Sequence, residues 1–181
     1  MAIIVAFAAS LCSCINDKET DDYADWRKAN LEWYEQQKSV TDAAGNKFYK
    51  VVTADWDPQA TVLMHWFNDT NATRANIKPL YSSQVDVKYY GKLYDGTPFD
   101  SSYLSTSPAD SLFRCRLNGD VIEGWGLAVT QMHIGDSVRV VIPYSLGYKN
   151  SSTGSINPYS MLVFDIKLVA VPKFELTPKR K

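Results

Sequence analysis

The sequence predicts an α+β domain, an antiparallel β-sheet wrapped around one short α-helix, with a further helix ahead of it. Three observations predict this. Segments that alternate with a period of two recur between Lys47 and Val171, the clearest being Met161–Val171, with Leu162, Phe164, Ile166 and Leu168 on one face. Turn dipeptides separate such segments, Asp95-Gly96 between Leu93 and Phe99 and Asn118-Gly119 after Leu117. Between Val121 and Gly135 the period changes: Trp125, Ala128, Val129 and Met132 fall at i, i+3, i+4 and i+7, one face of a helix. Trp125 thereby lies on the inward side of that helix's first turn, between helix and sheet.

Taken in order, the 181 residues suit one domain with an appendage, and a hydrophobic content of 45% supplies its core. Ala2–Leu11 is an apolar run too short to span a bilayer but long enough for a signal-peptide core, so residues 1–13 are expected to be a leader. Residues 14–46 follow as a tether and helix. Ile15–Asp25 is acidic through Asp17, Glu19, Asp21, Asp22 and Asp25, as a solvated tether is. Trp26–Lys38 has helical composition, with Leu31, Tyr34 and Lys38 on one face and Trp26, Asn30 and Trp33 close by. It ends before a turn-like stretch, Thr41–Asn46.

Residues 47–171 form the domain. Lys47–Val52 alternates as a strand, and Thr61–Phe67 is an apolar run of strand length. Polar, turn-rich Asn68–Leu80 follows. From Val85 the pattern sharpens: Val85, Val87 and Tyr89 share a face, with Asp86, Lys88 and Tyr90 opposite. Gly91 interrupts that strand, as a bulge or a close backbone approach would. Phe113, Cys115 and Leu117 alternate with Arg114 and Arg116, and Ser137–Ile142 is a strand closed by Pro143. Tyr144–Tyr159 is a long loop, uncommon unless functional, and residues 172–181 are a basic tail.

A net charge of -1 leaves no electrostatic footprint for nucleic acid. His65 and His133 are isolated and no Cys-x-x-Cys occurs, so no metal site and no cofactor is expected. The cysteines are Cys12, Cys14 and Cys115, which form no disulfide framework. Cys115 is expected as a buried free thiol.

Two resemblances add to this. Leu11-Cys12-Ser13-Cys14 resembles a bacterial lipobox, which implies cleavage before Cys14, acylation of its thiol and membrane attachment in the cell envelope. The acidic residues behind Cys14 resemble the surface-export signal of Bacteroidota lipoproteins. Val85–Val171 resembles the FKBP-type peptidyl-prolyl cis-trans isomerases, the macrolide-binding immunophilins. The matching segments run Val87–Ser102, Phe113–Leu117, Val121–Trp125, Leu146–Tyr148 and Leu162–Asp165, five segments in the family's order.

The resemblance implies a pocket for a substrate proline ring, with Trp125 as floor and Tyr89, Phe99, Phe113 and Phe164 as aromatic walls. It implies Asp100 as the wall carboxylate and Val121 and Ile122 as the pocket edge, the Ile122 N–H holding a substrate carbonyl. Tyr148 would place a loop hydroxyl on the substrate backbone, and Ile156 a loop apolar contact. Proline-containing polypeptides are the implied clients, and macrolide immunophilin ligands are further possible partners. The sequence departs from the family at Lys149, where a glycine usually follows the loop tyrosine, at Asn157, in place of the first residue of a Pro-Pro pair, and near residues 61–80, which look like an insertion ahead of the first well-matched strand. Two rival readings keep the pocket without useful catalysis: a peptide-binding or chaperone module, and a surface lipoprotein that binds a partner through its added segments.

Overall fold

The computed structural model describes residues 22–172. The expected leader, Cys14, the start of the acidic tether and the tail from residue 173 lie outside the described residues. Within them, seven strands form one antiparallel sheet: β1 (Lys50–Ala54), β2 (Asp57–Trp66), β3 (Gln84–Leu93), β4 (Pro98–Ser101), β5 (Phe113–Arg116), β6 (Ser137–Ile142) and β7 (Leu162–Ala170). Their order is β1-β2-β6-β7-β3-β4. One edge of β3 is shared, β4 lying against Tyr90–Lys92 and β5 against Gln84–Val87. Helices α1 (Ala24–Gln37), α2 (Thr70–Thr73) and α3 (Glu123–Val129) complete the fold with a 3-10 turn at Tyr144–Leu146.

Two helices cover the two faces of this sheet. On one face Val62, Met64, Val140, Ile142 and Phe164 join the core that holds Trp125 and Leu127 of α3. On the other, Leu63, Val141 and Val163 pack with Tyr34 of α1. Central strands buried on both sides carry continuous apolar runs instead of alternation. The apolar run from Thr61 is the strand that its length predicts. Residues 61–66 belong to β2, which pairs with β1 on one side and β6 on the other. Val62, Leu63 and Met64 are wholly buried, and only the stretch beyond Trp66 is a connection.

The helices also differ in detail from expectation. In α1 the buried residues are Asn30 and Tyr34, while Leu31 faces outward. Helix α3 ends at Val129 instead of running to Gly135. Thr130 Oγ1 donates to Leu127 O at 2.7 Å, and the amides of Gln131 and Met132 turn back three residues to Ala128 O and Val129 O. Tightening of this kind closes a helix while leaving the next residues pointing the same way, so Met132 still enters the core.

Candidate active site

Trp125, third residue of α3, is buried at the bottom of a cavity of about 300 Å³. Tyr89, Phe113 and Phe164 stand around it edge-on, their ring centres 5.9, 6.5 and 6.3 Å from the indole at 82–85°. Edge-to-face contacts set the positive rim of one ring against the negative face of another, each worth about 0.5–1.5 kcal/mol beyond area burial. The walls of the box therefore support one another through ring-on-ring contacts.

Each wall has its own support. Tyr89 sits on β3, where its backbone N–H donates to the buried Ser102 Oγ at 2.9 Å and its carbonyl accepts from Ser102 N at 3.0 Å. Its hydroxyl donates to Asp100 Oδ2 at 2.7 Å, and Asp100 Oδ1 accepts from Ser101 N at 2.7 Å. Phe113 opens β5. That strand is fixed by Arg114, whose Nε and Nη2 donate to the two oxygens of buried Asp86 at 2.6 and 2.7 Å. Phe164 comes from β7 opposite Gly91. Gly91 leaves the room the rings need, since a Cβ there would lie 2.8 Å from the Phe99 ring and 2.9 Å from the Phe164 ring. The pairing of β3 with β4 also shifts at Gly91, so close approach and bulge coincide.

The rim is formed by Val121 and Ile122 and by Tyr148 on the long loop. Ile122 caps α3 in an extended conformation, its carbonyl taking Trp125 N and Gly126 N at 3.0 and 3.2 Å. Among the described residues nothing accepts from the Ile122 N–H. Burial, then the hydrogen bond to Asp100 and its charge, holds the Tyr89 hydroxyl well above the ordinary tyrosine value. Burial and then Asp100 raise Tyr148 as well. Both hydroxyls therefore stay protonated, and able to donate, throughout the neutral range.

Of the residues expected at the site, Tyr89, Asp100, Phe113, Val121, Ile122, Trp125, Tyr148 and Phe164 line this one cavity. Phe99 and Ile156 do not. Phe99 backs Phe164, edge-on at 5.4 Å, and Ile156 is buried in the core. Gly119 and Asp120 line the wall without having been expected there. The Asn118-Gly119 turn was visible in sequence, but nothing local says that a turn faces a cavity. Lys149 adopts φ 59°, the left-handed region that favours glycine, which accounts for the family's preference at this position.

The lining is made of aromatic and aliphatic side chains with the carboxylates of Asp100 and Asp120 and the hydroxyls of Tyr89 and Tyr148. It offers an apolar box with a few donors at its mouth. Residues 76–169 match the family model of the FKBP-type peptidyl-prolyl cis-trans isomerases. The chain belongs to this family. The FKBP-type 22 kDa peptidyl-prolyl cis-trans isomerase of Escherichia coli is 42% identical over 94 residues, 51% of this chain and 43% of that protein. The FKBP-type isomerase FkpA of the same organism is 31% identical over 180 residues, 96% of this chain and 58% of its own. This chain thus spans about half the length of these two curated relatives. Among solved structures, a peptidyl-prolyl cis-trans isomerase from Pseudomonas syringae pv. tomato superposes with TM-score 0.62 at 30% identity, covering 82% of this chain and 94% of that one. The box around Trp125 lies wholly within the span matched to the FKBP-type family.

Proposed function

We propose that the chain catalyses cis-trans isomerisation of X–Pro bonds in exported or envelope polypeptides. The observation that carries this is the convergence of four aromatic rings, Tyr89, Phe113, Trp125 and Phe164, on one preformed cavity sized for a small apolar ring. The barrier to turning a peptide bond is roughly 18–20 kcal/mol and comes from amide resonance, which separates charge. Water supports that separation and an apolar box does not. Twisting the amide reduces it, so the box disfavours the planar state relative to the twisted one, which is differential binding of the transition state. No bond is made or broken.

In this reading Trp125 is the floor under the proline ring. Tyr89, Phe113 and Phe164 exclude water, with Phe99 and Ile156 supporting from behind. Ile122 N–H and Tyr148 O–H hold the substrate backbone on either side of the rotating bond. Asp100 orients Tyr89 and keeps a negative edge beside the ring. Macrolide immunophilin ligands would occupy the same box. The Leu11–Cys14 pattern supports acylation at Cys14 and a lipid-anchored place in the cell envelope.

The test is refolding of a substrate protein limited by proline isomerisation, with and without the chain. The slow phase is expected to accelerate in proportion to added chain. Binding of the unfolded substrate with an untouched slow phase would replace this reading with that of a peptide-binding module.

A further inference from the structure

Tyr148 is carried on the long loop, and the root of that loop is gripped by the N-terminal helix. Residues 26, 27 and 30 share one turn of α1 and meet three successive residues, 159, 160 and 161. Trp26 Nε1 donates to Ser160 Oγ at 3.1 Å. The Arg27 guanidinium lies 4.8 Å over the Tyr159 ring. Asn30 Oδ1 accepts from Met161 N at 2.7 Å, while its Nδ2 donates to Trp26 O at 2.9 Å. Asn30 is fully buried, so both ends of its amide are committed.

From the root the hydrogen bonds lead on to the pocket. Ser160 Oγ donates to Asn157 O at 2.7 Å, and Tyr159 N donates to Lys149 O at 2.8 Å. Lys149 N in turn donates to Tyr144 O at 2.9 Å, and the Tyr144 and Tyr159 rings meet at 5.5 Å. Lys149, the chain neighbour of Tyr148, has φ 59°, and Tyr159 has φ 62°. Left-handed backbone at a non-glycine residue persists only where the surroundings over-determine it. Here the bonds to the loop root supply that constraint. Helix α1 lies outside the residues 76–169 that match the family model.

We infer that α1 is a positioning element of the pocket, Trp26 and Asn30 holding the 144–160 loop so that Tyr148 faces Asp100, Phe113 and Trp125. Its kinetic consequence rests on the isomerase reading; its effect on the loop does not. The experiment combines hydrogen exchange with a double-mutant cycle of Asn30→Ala and Tyr148→Phe in the full chain. Asn30→Ala is expected to speed exchange of the Ile156 and Tyr159 amides about ten-fold or more, with the centres of β3 and β7 unchanged. It should lower kcat/KM on a proline peptide about five-fold, yet less than about two-fold in the Tyr148→Phe background, because the effect passes through Tyr148. Should Asn30→Ala fail to fold, Trp26→Phe keeps a ring and deletes the donor to Ser160, and is read the same way. Unchanged loop exchange in a folded variant, or losses that multiply independently in the cycle, overturns the inference. If the wild-type chain proves inactive, the isomerase reading falls, and loop exchange alone decides this one.

Discussion

Replacing Gly124 by alanine sets two effects of opposite sign against each other. Helix propensity favours alanine by about 1 kcal/mol in a helix interior, and by less at the second position of a helix as short as α3. Packing opposes it. The added Cβ would stand 2.4 Å from Ile142 Cγ2 and 3.1 Å from Leu146 Cβ, where carbon atoms settle at about 3.5–4.0 Å. Ile142 is fully buried on β6, and its Cγ2 branches directly from the strand, so relief requires α3 to move away by about 1 Å. Overpacking of this kind costs roughly 1–3 kcal/mol, so packing wins and a net loss of about 1–2 kcal/mol is expected. Because Trp125 is the next residue, the same movement tilts the pocket floor and weakens binding of a proline peptide. Urea unfolding and peptide titration of Gly124→Ala measure the two consequences. Ile142→Ala removes the clashing methyl and leaves only the closer-than-usual approach to Leu146 Cβ, so in that background the added alanine should cost clearly less. A stabilised Gly124→Ala, or the same cost with Ile142→Ala, would refute the placement of α3 against β6.

Three further outcomes are expected. Tyr148→Phe should lower kcat/KM about five-fold, the equivalent of roughly 1 kcal/mol, with an unchanged thermal melt, since the residue sits at the loop surface and is 37% exposed; activity and melting measured side by side check this. Cys115 is buried and its thiol is pushed up to about 12 by burial, then by Asp120 and Asp86, so thiol reagents should label it slowly in the native chain and promptly in denaturant. Asp136 is a buried carboxylate whose burial raises its pKa, but donors from His133 N, Thr73 Oγ1, Asn68 Nδ2 and Trp66 Nε1 outweigh that and leave it lowered. A folded-state value below the unfolded one means its stabilisation is present above about pH 4 and lost as pH falls further; Asp136→Asn should flatten that acid limb in urea midpoints.

How far the sequence carries depends on which rule places each residue. Tyr89, Phe113 and Phe164 were legible because they sit on strands whose alternation aims every second residue inward, and Trp125 because a helical period replaces alternation around it. The family resemblance supplied the step from separate faces to one pocket. Strand β2 was legible only as an apolar run of strand length, because burial beneath both α1 and α3 erases the alternation that marks a half-exposed strand. In α1 the pattern does not single out Asn30, whose burial is offset by hydrogen bonds to the loop root and to its own helix. Asp136 was missed for the same reason, since its four donors come from segments far apart in the chain or from a turn not yet placed. Gly119 and Asp120 owe their position to the turn that feeds α3, which local pattern does not orient.

Exchange spectroscopy on a short proline peptide reads whether the aromatic box speeds rotation of a bound X–Pro bond. Free in solution, such a peptide interconverts over tens to hundreds of seconds, too slowly for magnetisation to pass between its cis and trans signals. With a substoichiometric amount of the chain, exchange peaks linking the two signals are expected, and they should fade in Trp125→Leu. Peptide signals that shift on binding while cis and trans remain unlinked would contradict the account.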